Sequence, residues 1–216
     1  TVSDWGVRLG IRPEFVKGLR KTDTKTLEVA IAILSGLVNS KLVSFLNKNK
    51  INSVGISGLS GNMIKAEITN KDLGFVGEIK NLNVNLIESL INDKYVPVIS
   101  PIGLNQSSIN ENDSILNINA DFVASEIARN LKADKLIYQT DVDGIRDDKG
   151  RIISKMTLAQ AKDLINSGIV VGGMLPKLES CINSMQGVDR SHIINGSDNS
   201  LIEIFKGNRT GTEIIN

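Results

Sequence analysis

The sequence predicts an α/β fold, a three-layer sandwich around a mainly parallel sheet. Short apolar runs alternate with longer stretches whose apolar residues recur at helical spacing. Polar turns separate them, and no repeat, low-complexity tract or linker breaks the alternation. At 216 residues and 41% hydrophobic content, the chain can bury a real core, as one domain or two closely joined lobes.

The elements follow in order. Residues 22–49 carry Leu27, Ile31, Leu34, Val38, Leu42 and Phe45 at helical spacing, with a break or bend expected near Gly36. "SVGISGL" (53–59) is apolar and glycine-punctuated, so it reads as a strand. "MIKAEIT" and "FVGEIKNL" alternate polar with apolar residues and read as a pair of exposed strands. Residues 83–94 form a helix that Asn83 can cap, with Leu86, Ile87, Leu90 and Ile91 on one face. "YVPVISPIG" follows as a buried strand with a built-in break.

The second half is more regular. A helix over 119–132, opened by Asn119 or Asp121, precedes the strand 135–140. Thr157 and Gln160 stand at capping-box spacing, and Gly168 at the helix exit. A helix after Pro176, the strand "SHIING", the helix "DNSLIEIF" and a last strand "GTEII" complete the chain. The polar, turn-rich stretch 105–114 marks a soft lobe boundary, giving lobes 1–114 and 115–216.

Composition excludes several functions. A net charge of +1 argues against a nucleic-acid surface or a basic membrane patch. The apolar run at 95–104 is too short to span a bilayer, and no signal-peptide pattern is present. One cysteine, Cys181, allows no internal disulfide and fits a reducing, cytoplasmic setting. With one histidine, His192, there is no HExxH and no histidine-based zinc cluster, so no metal site is expected. His192 lies in a strand-like run without a partner motif, which reads as packing. P-loop, dinucleotide and protein-kinase signatures are all missing. "DVDGIRDDKG" (141–150) lacks the carboxylate spacing of a calcium loop and reads as a turn. Glycine, lysine, aspartate and backbone remain, an inventory suited to phosphoryl transfer.

Four segments could carry that chemistry, each with a plainer alternative. In "VVGGMLPK", Gly172 and Gly173 let the backbone approach an anion, free amides at a helix start attract phosphate, and Lys177 adds a full charge. The alternative is a strand-to-helix turn with a solvated lysine. In "NINAD", Asp121 stands at a helix start just after a strand, beside Asn117 and Asn119, though an aspartate there can simply be a cap. In "KGLRKTD", Arg20 offers a bidentate fork to a carboxylate before a cap-like Thr22, or is merely solvated. "YQTDVDGI" ends a strand in an acidic glycine loop of the kind that borders a nucleotide, or in a tight turn.

Together the segments resemble the acetylglutamate kinases, within the amino-acid kinase family. "FVKGLRKTD", "DLGFVGEI", "YVPVISPIG", "NINAD", "TDVDGI", "GGMLPK", "HIING" and the terminal "GTEI" follow that family's order and spacing along essentially the whole chain. The resemblance implies the amino-acid kinase fold and ATP-dependent phosphorylation of the side-chain carboxylate of N-acetyl-L-glutamate, an early step of arginine biosynthesis. It implies an acyl-amino-acid lobe over 1–114 and a nucleotide lobe over 115–216. By the same resemblance Arg20 clamps a substrate carboxylate and Asn117 bonds to that molecule. Lys177 stabilises the transferring phosphoryl group, and Asp121 orients lysines around it. Asp141, Val142, Asp143 and Gly144, with Val171 and Gly172, border ATP, and Mg2+ arrives with the nucleotide. A homo-oligomer in the cytoplasm is implied too.

The sequence departs from the family at its start. It opens on Thr1 and lacks the Lys-x-Gly-Gly and His-Gly-Gly-Gly segments that family members carry ahead of this region. The expectation is therefore a processed chain or a piece of a longer one, with little or no activity alone. Two alternatives stand beside the leading reading. One is a kinase for a related, carrier-linked acyl-amino acid, and the other a non-catalytic shortened homologue binding nucleotide or metabolite.

Overall fold

The computed structural model describes residues 2–16, 18–110, 113–196 and 200–216. Their contacts divide the chain into two units, Thr1–Val123 and Ala124–Asn216. The first opens with helix α1 (Val2–Arg8) and the short antiparallel hairpin of β1 (Phe15–Val16) and β2 (Leu19–Arg20), none of which the sequence pattern marked.

A long helical stretch follows, made of α2 (Thr24–Ile31), a π-helical segment Ala32–Val38 and α3 (Asn39–Lys48). The bend expected near Gly36 is thus a widened turn, a common way to insert irregularity into a helix. It rotates the residues beyond it. Leu27 is buried as its spacing predicts, but Val38, Leu42 and Phe45 are exposed, and Asn39 is buried in their place. Asn39 Nδ2 donates to Val98 O at 2.8 Å, and Ser35 Oγ lies 2.7 Å from Ser100 Oγ. By length and composition alone Thr24–Lys48 could cross a membrane, a candidate that the apolar run at 95–104 did not reveal. These polar contacts tie it instead to strands of its own unit.

Those strands are β3 (Ser53–Ser57), parallel to β6 (Val96–Ser100). The strands β4 (Ile64–Ile68) and β5 (Val76–Leu82) do pair antiparallel, with a register shift at Lys65/Ala66. They are not an exposed pair. With β7 (Ile102–Asn105) and β8 (Ile115–Ile118) they close a barrel in the order β4-β5-β8-β7, and Ile64, Ala66, Ile102 and Leu116 fill it. Closure packs side chains closely against Gly103. A Cβ on Gly103 would lie 2.6 Å from Ile118 Cδ1. Helix α4 (Asn85–Asn92) lies between β5 and β6 in sequence; Val84 holds its N-cap position, and Asn83, one residue earlier, accepts from Asn85 N through Oδ1 at 3.0 Å. The break in "YVPVISPIG" is real, since Pro101 separates β6 from β7 and the two join different sheets. Because β8 is a barrel strand, residues 115–123 belong with the first unit, and the division falls inside α5 (Ala120–Asn130) rather than at 114.

The second unit holds β9 (Lys135–Thr140), β10 (Lys155–Thr157), α6 (Leu158–Asn166), α7 (Met174–Ser184), β11 (Arg190–Asn195), α8 (Ser200–Phe205) and β12 (Thr212–Ile215). Its sheet runs β10-β12-β11-β9, parallel at β10/β12 and β11/β9 and antiparallel at β11/β12. Both halves of the capping box form at Thr157 and Gln160, and Gly168 leaves the helix at φ +71°. The helix that should follow Pro176 begins two residues earlier, at Met174. The opening residues of "DNSLIEIF", 198–199, lie outside the described residues. Leu136, Tyr138, Leu178, Cys181, Ile193 and Ile214 pack one apolar core.

Candidate active site

In the first unit, Arg20 ends β2, so pairing with β1 sets its backbone. Its half-buried guanidinium donates from Nη2 to Ser3 Oγ at 2.8 Å and lies 4.5 Å from the Phe15 ring centroid. Burial lowers its pKa from the ordinary arginine value. A solvated arginine is therefore not what the structure shows.

Thr22 is not the helix cap that its position suggests. Asp23 is, accepting from Thr26 N at 2.8 Å. Thr22 is fully buried, and its hydroxyl donates to Arg20 O at 2.9 Å while lying 3.2 Å from Asn117 Nδ2, from which it accepts. Its backbone is held on both sides, Thr22 N to Leu73 O at 2.8 Å and Phe75 N to Thr22 O at 2.7 Å. Arg20 and Asn117 are thereby joined in one hydrogen-bonded run that the sequence did not reveal. Asn117 and Asp121 flank the carboxyl end of a barrel strand, not of an open parallel sheet. Asn119 Oδ1 accepts from Asp121 N at 2.7 Å, as a capping side chain does, and Asp121 stands in the first turn of α5.

In the second unit, the loop Asp141–Gly144 leaves the carboxyl end of β9. Gly144 has φ +145°, and an added Cβ would meet Thr212 Oγ1 at 2.7 Å. That hydroxyl accepts from Ile145 N at 2.8 Å. Asp143 Oδ1 accepts from Asn195 Nδ2 at 2.8 Å, and Gly196 N donates to Thr140 O at 2.8 Å. The ends of two parallel neighbours, β9 and β11, are thus laced beside the loop. Asn195 and Thr212 went unnoticed in the sequence. The segment "HIING" contained the first and the terminal "GTEI" the second, without a role being read for either.

Val171 and Gly172 lie just before α7, both exposed, and Gly172 adopts φ +60° with open space around it. The amides expected to be free are partly engaged. Met174 N and Leu175 N donate to Val171 O and Gly172 O at 3.3 Å, and Pro176 has no amide hydrogen. Lys177 stands one residue after Pro176 in α7. Its Nζ lies 6.0 Å from the ring centroid of Tyr138, a residue of β9. Among the described residues no three His, Cys, Asp or Glu side chains gather where one metal ion could be held.

The model of the amino acid kinase family matches residues 3–195. An acetylglutamate kinase of Campylobacter hominis is 41% identical over 210 residues, spanning 95% of this chain and 72% of that protein. One from Caldanaerobacter subterraneus is 44% identical over 221 residues, spanning 99% and 72%. Among solved structures, smu.665 from Streptococcus mutans superposes with a TM-score of 0.85 at 26% identity, covering 99% of this chain and 81% of that one.

Proposed function

Because the chain belongs to the amino acid kinase family, we propose that it transfers the γ-phosphoryl group of ATP to the side-chain carboxylate of N-acetyl-L-glutamate, in arginine biosynthesis. A carboxylate oxygen attacks the γ-phosphorus, the bond to the β,γ-bridging oxygen breaks, and an acyl phosphate and ADP leave. No proton has to move, since nucleophile and leaving group are both oxyanions. The protein's work is to position the reactants and to offset charge that spreads over the phosphoryl oxygens.

The chain's residues divide that work. Arg20 takes a carboxylate of the acyl amino acid in its planar fork, and Asn117 bonds to the same molecule. Lys177 neutralises the phosphoryl group in transfer. Asp121 holds cationic groups in register through its carboxylate. The loop Asp141, Val142, Asp143 and Gly144, with Val171 and Gly172, borders the nucleotide. The open space at Gly172 and the strand-end position of the loop fit a phosphate chain and a sugar. Mg2+ accompanies ATP and supplies charge neutralisation on its phosphates. A homo-oligomer and a cytoplasmic location belong to the same proposal, and sedimentation of the purified protein tests the first.

One observation carries the acceptor assignment. Two residues distant in sequence, Arg20 and Asn117, are built into a single hydrogen-bond run through buried Thr22 in a chain about 40% identical to acetylglutamate kinases. The test is a coupled ADP-release assay of the full-length protein with ATP–Mg2+ and N-acetyl-L-glutamate, followed by hydroxylamine trapping of the acyl phosphate. ADP release without a trapped acyl phosphate would sink the proposal.

A further inference from the structure

We infer that Thr22 is a positioning residue of the acceptor site, one that fixes the Asn117 amide and the Arg20 backbone in a single geometry. This rests on the reading that Arg20 and Asn117 hold the acyl amino acid.

The argument is one of hydrogen-bond polarity. Arg20 O can only accept, so the Thr22 hydroxyl must spend its one proton there, at 2.9 Å. What the hydroxyl offers Asn117 is then a lone pair, which only a donor can meet. The Asn117 amide must turn its Nδ2 toward Thr22, at 3.2 Å, and its Oδ1 cannot take that place. One proton thus decides which way round a substrate-binding amide stands.

Burial makes the decision firm. Thr22 is fully buried, so water cannot replace a lost partner. Its backbone is clamped between Leu73 O and Phe75 N, and Gly74 closes against it so tightly that a Cβ there would lie 2.2 Å from Thr22 O. The hydroxyl has little room to relax. Asn117 is held as firmly from the other side, with its N–H on Phe75 O at 2.9 Å. The stretch Leu73–Phe75 therefore anchors both partners of the contact.

The experiment compares Thr22→Val, which keeps the shape and removes the hydroxyl, with Thr22→Ser, which keeps the hydroxyl. Steady-state kinetics of the full-length protein are read with each substrate varied. The expected result is a KM for N-acetyl-L-glutamate raised about tenfold in Thr22→Val, the loss typical of an orphaned buried polar group. Both kcat and the KM for ATP should stay within about twofold of wild type. Thr22→Ser should recover most of the loss in acceptor KM. A merely structural role would lower the melting temperature and kcat without separating the substrates, and that outcome overturns the proposal. So does an unchanged acceptor KM in Thr22→Val. Asn117→Ala and Arg20→Lys form the control arm. If neither raises the acceptor KM, the reading of the site fails, and Thr22 falls with it for a distinguishable reason.

Discussion

Arg20 and Phe15 face each other across the β1–β2 pairing, and the guanidinium carbon lies 4.5 Å from the ring centroid. Phe15 is itself half-exposed, so the ring is spent on the arginine and not on the core. Such a stack is worth about 0.5–1 kcal/mol at exposed sites. Phe15→Leu, which keeps apolar bulk without a π face, should weaken N-acetyl-L-glutamate binding about two- to fivefold by titration calorimetry. Arg20→Lys should weaken it further, because an ammonium cannot reproduce the fork. If Phe15→Leu binds as wild type does while Arg20→Lys does not, the stack has no part in orienting the arginine.

Lys177 offers a second division of effects. Its stem rises from α7, with the ammonium over Tyr138. Lys177→Met keeps the stem and removes the charge. If that charge acts on the phosphoryl group in transfer, kcat should fall about a hundredfold or more while the acceptor KM changes little. A kcat that survives the substitution would remove Lys177 from the chemistry.

How much of this was legible depended on what each local signal reported. Helix α6 was readable because Thr157, Gln160 and Gly168 state its ends in side-chain chemistry. The start of α7 was missed by two residues because Pro176 stands third in the helix, and a proline there marks the first turn without fixing its origin. The π segment could not be read from spacing, since apolar residues occupy so many positions of 27–38 that either register finds a buried face. Barrel closure is a long-range event, and alternation in β4 and β5 looks the same whether one face meets water or Leu116. Within the proposed site, Arg20, Asn117 and Asp121 stood out as polar groups at element ends. Thr22 did not, because a threonine before an aspartate and a helical run looks like a cap, and only its contacts show that Asp23 took that role.

Gly74 tests the clamp behind Thr22. Its backbone stands at φ +72°, ψ −131°, which L side chains rarely adopt, and the Cβ of an alanine would lie 2.2 Å from Thr22 O. Both costs act on folded protein, so Gly74→Ala should lose roughly 2–4 kcal/mol of stability. Urea denaturation, with the transition midpoint compared at constant slope, measures it. A midpoint within error of wild type would mean that the loop relaxes without cost, and the tight contact with Thr22 would lose its meaning.

His192 makes stability depend on pH in a predictable direction. It sits on β11 with 7% of its surface exposed, and among the described residues its Nε2 has no hydrogen-bond partner. Burial lowers its pKa below the ordinary histidine value. Glu213 opposes this from the facing position on β12, while Lys135 and Arg190 reinforce it. Glu213 is already shared, with Arg190 Nη1 at 3.4 Å and Lys155 Nζ at 3.7 Å, which limits what it can offer an imidazolium. A folded pKa below the unfolded one means that the unfolded chain takes up the proton first. The contribution of neutral His192 is complete above the unfolded value of about 6.5 and is lost as pH falls below it, until the folded group also titrates. The carboxylates whose pKa values are lowered, Asp23 and Asp147 among them, add their own losses only at lower pH. Calorimetric melting between about pH 8 and pH 5.5 therefore isolates the histidine, whose ordinary value lies inside that window. Wild type should melt at progressively lower temperature toward the acid end, and His192→Leu should flatten that dependence. If both proteins follow the same slope, the buried imidazole is not the group that titrates.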